Sequence, residues 1–269
     1  MGHVADISAV PRLIRTNRAH VSCDEANGLN RFHAAESATL LMEAAHIVPP
    51  PVNVVIYCAD IGSVPRNRFG WARSDPTAAE IERHRGGTEI IDLVDAVALD
   101  LGVDRAVAFG FESPLFVPVP EESLRLGTAR PGEANRSWSA GAGASALVTG
   151  IVEIAWILSE LRRRLPAASA YLDWDEFTAA GRGLFLWEAF VSAGAKATTH
   201  VDDAVVAVAA FSEALPEPII ANAVTAERPL SLLGAALVWS GWSDDGDLLH
   251  APCLVIKATP PTGLQTSRT

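Results

Sequence analysis

The sequence lacks the excess of positive charge that is typical of proteins that coat nucleic acids. Its 21 lysine and arginine residues stand against 32 aspartate and glutamate residues, which gives a formal net charge of −11 at pH 7. This balance argues against a strongly basic coat protein, but it leaves room for an enzyme that contacts phosphates through a local basic patch. Hydrophobic residues make up 49% and charged residues 20% of the 269 residues, which is typical of a globular chain with a sizeable core.

Cysteine is scarce as well. Cys23, Cys58 and Cys253 are an odd number without the spacing of metal ligands, so we predict reduced thiols in a cytoplasmic protein. No positively charged segment followed by an apolar one opens the chain, so no signal peptide is expected. The long apolar stretch 140–158 contains Glu153, whose charge is costly in lipid. We therefore predict a buried helix there and no membrane partner.

Two common nucleotide-site motifs and one hydrolase motif are missing or incomplete. The chain has no P-loop lysine and no nucleophile elbow. Gly141, Gly143 and Ala146 fit the loose dinucleotide fingerprint, but no strand precedes them. We interpret this stretch as a loop that runs into a helix.

The chain divides into three parts by composition. Residues 1–52 carry four histidines and little apolar alternation, and we predict an N-terminal extension with a short helix over 36–48. Residues 53–258 alternate predicted strands and helices after an opening hairpin, which favours an α/β domain with a mixed sheet flanked by helices. Residues 259–269 are rich in proline, threonine and serine and are predicted to be disordered.

Within the central part, apolar periodicity and turn residues predict individual elements. The predicted strands span 53–60, 66–75, 105–116, 169–174 and 183–193, with a closing hairpin formed by 233–242 and 251–258. The predicted helices span 88–103, 144–164 and 200–215.

Acidic residues lie at the ends of three of these elements. Asp60 ends the first strand, Glu112 ends the apolar part of the third, and Asp202 and Asp203 open the last helix. Ligand sites in α/β sheets form beyond the carboxyl ends of strands, and a divalent cation relieves the repulsion between carboxylates that gather without basic partners. Each acid also has a simpler explanation, as a turn residue, a strand end in water or a favourable charge at a helix N-terminus.

In this order, the motifs resemble those of the ribonuclease H-like superfamily. The segment from His200 to Asp203, followed by small apolar residues, is similar to the last motif of Holliday-junction resolvases. Asp60, Gly62 and Trp71, together with Glu112-Ser-Pro, resemble a family of uncharacterised bacterial proteins predicted to be ribonuclease H-like nucleases. The resemblance covers residues 53–258 and implies a ribonuclease H-like α/β fold.

The resemblance also implies a metal site. Asp60, Glu112 and Asp203 would bind Mg²⁺ or Mn²⁺, and His200 would be a further ligand or a general base. Asp203 is favoured over Asp202 because residues three apart share a helix face. Glu188, in a predicted strand, is either a fourth acid or a residue on the opposite face of the sheet.

An arginine-bearing loop is part of the same resemblance. Arg125, Arg130 and Arg136 are candidate phosphate ligands, although Glu121, Glu122 and Glu133 are close enough in sequence to pair with them in a solvated loop. The family usually carries an aspartate between these arginines, where this chain has Glu133. The N-terminal extension is likewise not part of the family pattern.

The sequence therefore supports two functions. The first is a divalent-metal-dependent nuclease that hydrolyses phosphodiester bonds in nucleic acid or a nucleotide-like substrate. The second is a non-catalytic binding or structural protein that keeps the fold and an acidic pocket, which the net charge of −11 favours. A related kinase fold would need a second, duplicated domain, for which the chain is too short.

Overall fold

Strand β1 (Val54–Asp60) is buried along its whole length because helices cover both faces of the sheet to which it belongs. The computed structural model describes residues 53–79, 84–133, 137–191 and 194–259. The predictions for the N-terminal extension, for Arg136 and for residues 260–269 lie outside these ranges.

The main sheet has seven strands, of which some pairs are parallel and others antiparallel. Its strands are β1, β2 (Gly70–Ser74), β3 (His84–Gly87), β4 (Ala106–Glu112), β6 (Ala170–Tyr171), β7 (Gly183–Val191) and β9 (Leu254–Ala258). The hairpin β1–β2 and its neighbour β3 are antiparallel, whereas β4 is parallel to β1 and β7 is parallel to β4. Both β6 and β9 pair in parallel with β7. The predicted α/β class with a mixed, helix-flanked sheet is confirmed.

Within the described residues, five α-helices lie on the two faces of this sheet. They are α1 (Ile90–Gly102), α2 (Gly141–Arg164), α3 (Trp174–Ala180), α4 (His200–Ala214) and α5 (Leu232–Trp239). Helices α1, α2 and α5 share one core with Val55, Tyr57 and Ala59 of β1. Helices α3 and α4 pack against the other face. Because side chains alternate along a strand, each central strand contributes residues to two separate cores.

The predicted closing hairpin is wrong. Residues 233–242 fall largely in α5, and β9 pairs with β7 instead of with this segment. The hydroxyl of Ser231 accepts a hydrogen bond from the N–H of Gly234 and so caps the helix. A short, uniformly apolar run has neither a helical nor a strand period, and here the cap and the tertiary packing decide. A short antiparallel pair, β5 (Phe116–Pro118) and β8 (Pro229–Ser231), precedes this helix.

Helix α2 is buried on one face only, which corrects the prediction of a buried helix. Ile154, Ile157 and Leu158 pack into the core, whereas Val148 and Val152 are exposed. By length and composition the helix is able to cross a membrane, and 22% of its most apolar window is buried. Its inner face joins it to α1 and α5 in one core.

A charge-balanced network of buried side chains lies on the sheet, nearer the start of β1 than Asp60 is. Tyr57 donates its phenol hydrogen to Asp100, and Arg73 bonds both Asp100 and Asp75. Arg105 pairs with the same two carboxylates. The hydrogen bond from Arg105 lowers the pKa of the Asp75 carboxyl, against the opposing effect of its burial. Two arginines and two aspartates neutralise each other here, so this network has no need of an external ion.

Candidate metal centre

The parallel pairing of β1 with β4 places two carboxylates side by side. Asp60 and Glu112 are opposite each other in the strand register and end their strands at the same edge of the sheet. The first turn of α4 lies against this edge. Gly70 permits the close approach, because a Cβ at this position would lie 2.4 Å from the carbonyl carbon of His200 and 2.5 Å from the nitrogen of Val201.

The three acids predicted as metal ligands come together. One carboxylate oxygen from each of Asp60, Glu112 and Asp203 lies within 4.8 Å of the others. Asp60 is 3% and Asp203 is 5% exposed. Such oxygen donors at this spacing form the type of site that Mg²⁺ and Mn²⁺ prefer.

In the first turn of α4, the side chains of the two adjacent aspartates point in different directions. The hydroxyl of Thr199 accepts a hydrogen bond from the N–H of Asp202 and donates one to its carboxylate. Asp202 is therefore an exposed part of the helix cap, and Asp203 points into the cluster, as the helical spacing predicts. His200 is on the same face as Asp203, and its Nδ1 lies 2.5 Å from Oδ2 of Asp60.

A lysine that the sequence did not bring to notice completes the cluster. Nζ of Lys196 lies 2.9 Å from Oε1 of Glu112 and 2.9 Å from Oδ2 of Asp203. The expectation that these carboxylates gather without a basic partner is therefore wrong. The backbone N–H of Ala197 also donates to Asp203. One positive charge thus faces three acids, and the cluster keeps an excess of negative charge whenever all three are ionised.

Burial and mutual repulsion change the protonation of this cluster. Burial raises the pKa of Glu112 to about 8, with a further contribution from the neighbouring Asp60, while Lys196 opposes both effects. Burial likewise raises the pKa of Asp60 to about 6. Burial tends to lower the pKa of Lys196, but Glu112 and Asp203 outweigh it and raise that pKa, so the ammonium stays protonated.

Two buried carboxylate oxygens near the cluster have no hydrogen-bond partner among the described residues. They are Oε2 of Glu112 and Oε2 of Glu153. Glu153 is the acid in the middle of α2, its charge acts on Asp60, and burial raises its own pKa to about 7. While Glu112 keeps its proton, it donates a hydrogen bond to Asp60. Once that proton is lost, an unpaired buried acceptor is costly, and Glu112 then offers a ligand position beside the other two acids.

Glu188 lies at the same edge of the sheet, but it is not an open fourth acid. It forms a bidentate ion pair with Arg130, whose Nη1 and Nη2 lie 2.9 and 2.6 Å from its two oxygens. Arg130 also bonds Glu133 and is 2% exposed. The interpretation of Arg130 as a phosphate ligand is therefore wrong, because its guanidinium is buried and already committed to two carboxylates.

The remaining loop arginine within the described residues is not at the cluster either. Arg125 ends a short 3₁₀ helix, Ser123–Arg125, and is exposed. It is not among the residues that line the cavity over the carboxylates. Arg136 lies outside the described residues, so its predicted role stays a prediction.

A cavity of about 530 Å³ opens above Asp60, Glu112 and His200. Its walls come from the β1–β2 turn, the first two turns of α2 and the end of β7. The lining residues that carry polar, charged or aromatic groups beyond the acid cluster include Ser63, Arg66, Arg68, Trp138, Thr149 and Phe190. A volume of this size is typical of a small-molecule or substrate site.

Comparison of the chain with protein-family models, with curated proteins and with solved structures finds no match. The site therefore has to be interpreted from its own geometry. Sequence reasoning overlooked Lys196, Arg66 and Arg68 as site residues. Only Lys196 carried a signal, because it is one of just two lysines in the chain.

Proposed function

We propose that this chain is a divalent-metal-dependent phosphodiesterase with a ribonuclease H-like fold, acting on nucleic acid or a nucleotide-like substrate. The observation that carries the proposal is the convergence of Asp60, Glu112 and Asp203 within 4.8 Å beneath a cavity of about 530 Å³. The element order supports the fold assignment, since an antiparallel hairpin, a helix and a parallel strand precede the helix that bears the last acid.

The donor set fits a divalent ion in two respects. All three ligands are hard carboxylate oxygens. When Glu112 is ionised, its buried Oε2 has no hydrogen-bond partner among the described residues. The ammonium of Lys196 competes for Glu112 and Asp203, but its side chain is 35% exposed and has room to turn towards the cavity. A bound divalent ion would supply an activated water and would stabilise the charge that develops on the phosphate.

The residues of the chain have distinct roles in this proposal. Asp60, Glu112 and Asp203 would hold the ion, and Lys196, released from the two carboxylates, would contact a phosphate oxygen. His200 bonds Asp60 through Nδ1, which fixes the ring and leaves Nε2 to accept a proton from the attacking water. The experiment that tests the proposal is cleavage of single-stranded, duplex and branched substrates in Mg²⁺ or Mn²⁺ by the purified protein.

Metal binding is expected to tighten as pH rises. The pKa of Asp60 is raised to about 6 and that of Glu112 to about 8, and both carboxyls must lose their protons to bind metal. We expect the Kd for Mn²⁺ to fall about tenfold per pH unit between pH 6 and 8 for each proton released. Calorimetric titration in two buffers of different ionisation enthalpy measures both the affinity and the proton release. A Kd that does not change with pH would contradict this.

The same pKa values fix the sign of the stability change in the metal-free protein. A carboxyl whose pKa is higher in the folded than in the unfolded state stabilises the fold at low pH, and this contribution is lost as pH rises through the folded pKa. The free energy of unfolding in EDTA is therefore expected to fall between pH 5 and 8. Addition of Mn²⁺ at pH 8 should restore it.

A second function is favoured by one observation. Lys196 already bridges Glu112 and Asp203, as in a site whose acids are neutralised internally. A non-catalytic binding protein would bind its ligand equally well in EDTA and would show no cleavage in Mn²⁺.

A further inference from the structure

We infer that the cavity takes a short single-stranded segment of nucleic acid, with contacts to about two phosphates, in preference to a duplex. This inference rests on the proposed function, because it names the substrate class of the same site. It is carried by the position of the acids, by two exposed arginines and by two aromatic side chains in the cavity wall.

The acids lie deep in the cavity, so a wide substrate such as a duplex is kept away from them. Asp60 and Glu112 line the cavity while their side chains are only 4% and 13% exposed. A phosphodiester must therefore enter the cavity to reach them. A volume of about 530 Å³ is in the range of small-ligand cavities, so it suits a short single-stranded segment and is too small to enclose a duplex.

The positive charge available in the cavity suits a short chain. Among the described residues, the arginine and lysine side chains that line it are Arg66, Arg68, Arg130 and Lys196. Arg130 and Lys196 are paired with carboxylates. Arg66 and Arg68 are exposed and make no ion pair within the part of the chain that the structure describes.

The β1–β2 turn fixes the backbone that carries these two arginines. The N–H groups of Arg66 and Arg68 both donate to the carbonyl of Ser63. A Cβ on Gly62 would lie 1.7 Å from the carbonyl oxygen of Arg68, so only glycine permits this packing. Asn67, between the two arginines, has a φ of 53°. Two guanidinium groups on one constrained turn can neutralise two phosphates, and the net charge of −11 disfavours longer contact with a polyanion.

Aromatic side chains in the same wall favour unpaired bases. Trp138 and Phe190 line the cavity and are half-buried. The indole N–H of Trp138 donates to the carbonyl of Thr128 at 2.9 Å, which orients the ring. Bases can stack on such rings only when they are not already stacked in a duplex.

The test measures binding without cleavage. Fluorescence anisotropy with Ca²⁺ in place of Mg²⁺ or Mn²⁺ compares a labelled trinucleotide, a 20-residue single strand and the corresponding duplex, each as DNA and as RNA. We expect the single strands to bind at least tenfold more tightly than the duplex. The slope of log K against log salt for the single strand should be about −1.4, the value for two phosphates.

Variants locate the contacts. Arg66→Ala and Arg68→Ala should each weaken single-strand binding about tenfold and should each reduce the salt slope by about half. Trp138→Phe should weaken binding by less than the arginine variants and leave the slope unchanged. The matched control is Arg182→Ala, because Arg182 is 68% exposed and lies just before β7, at the opposite edge of the sheet.

Several outcomes would overturn the inference. These are a duplex that binds as tightly as the single strand, a slope steeper than about −3, or arginine variants that bind like the control. A protein that cleaves duplex in Mn²⁺ but ignores single strands would refute this inference while supporting the proposed function. Tight single-strand binding without cleavage in any metal would do the reverse.

Discussion

Asp60→Asn is expected to lower the rate of Mn²⁺-dependent phosphodiester cleavage by about 10³-fold, because a neutral amide replaces the central metal ligand. Asp60 lies next to a second proposed metal ligand and next to the proposed general base. It pairs with Glu112 in the strand register and bonds His200 through its Oδ2. Loss of its charge therefore weakens ion binding and also releases the imidazole that is proposed to accept the proton of the attacking water.

The matched control for this variant is Asp202→Asn. Asp202 is adjacent to a proposed ligand and carries the same charge, but it belongs to the exposed cap of α4. Activity should survive in this variant. Equal activity in Asp60→Asn and in the unchanged protein would identify the cleavage as a contaminant and would remove Asp60 from the mechanism.

The stability of Asp60→Asn should change in the opposite direction from its activity. In the metal-free protein Asp60 is buried against Glu112, and burial raises its pKa to about 6. Removal of that charge at pH 8 relieves repulsion, so the melting temperature in EDTA should rise. A residue with a purely structural role would instead lose stability when its hydrogen bond to His200 is weakened.

The second large effect is expected at Lys196. In EDTA at pH 8, Lys196→Met should lower the free energy of unfolding by about 2 kcal/mol. This is less than for a broken, fully buried ion pair, because the side chain is 35% exposed and solvent screens part of the interaction. The variant leaves three carboxylates with no ammonium between them. Mn²⁺ should then restore most of the lost stability. Urea denaturation in EDTA and in Mn²⁺ measures both changes.

Lys257→Met is the control for this variant, since Lys257 is the only other lysine of the chain. Its ammonium lies over the ring of Phe190, 5.2 Å from the centroid. We expect its loss to cost well under 1 kcal/mol, and the cost should be the same in EDTA and in Mn²⁺. If Mn²⁺ stabilises Lys196→Met no more than it stabilises Lys257→Met, then the ammonium of Lys196 and a metal ion do not compete for the same carboxylates.

The carboxylate positions were accessible to sequence reasoning because local patterns determine them. Asp60 and Glu112 end apolar strands that are parallel neighbours, so they lie at one edge of the sheet. The helical spacing between His200 and Asp203 selected, of two adjacent aspartates, the one that lies in the cluster. Each of these inferences needs only a strand end or a helix period.

Long-range pairing was not accessible in the same way. Arg130 has the residue type and loop position of a phosphate ligand, yet Glu188, 58 residues later in the chain, neutralises it in the interior. Lys196 lies in a loop whose path to Glu112 no local pattern specifies. The strand predicted at 233–242 is mostly helical because a serine cap and the packing around it decide the conformation of a uniformly apolar segment.

The proposed activity requires that Asp60, Glu112 and Asp203 bind a divalent ion. Calorimetric titration of the metal-free protein with Mn²⁺ at pH 8 answers this without any knowledge of the substrate. We expect saturable binding with a Kd below about 1 mM, corresponding to at least about 4 kcal/mol, and its loss in Glu112→Gln. Absence of saturable binding, or equal binding in Glu112→Gln, would contradict the proposed metal centre.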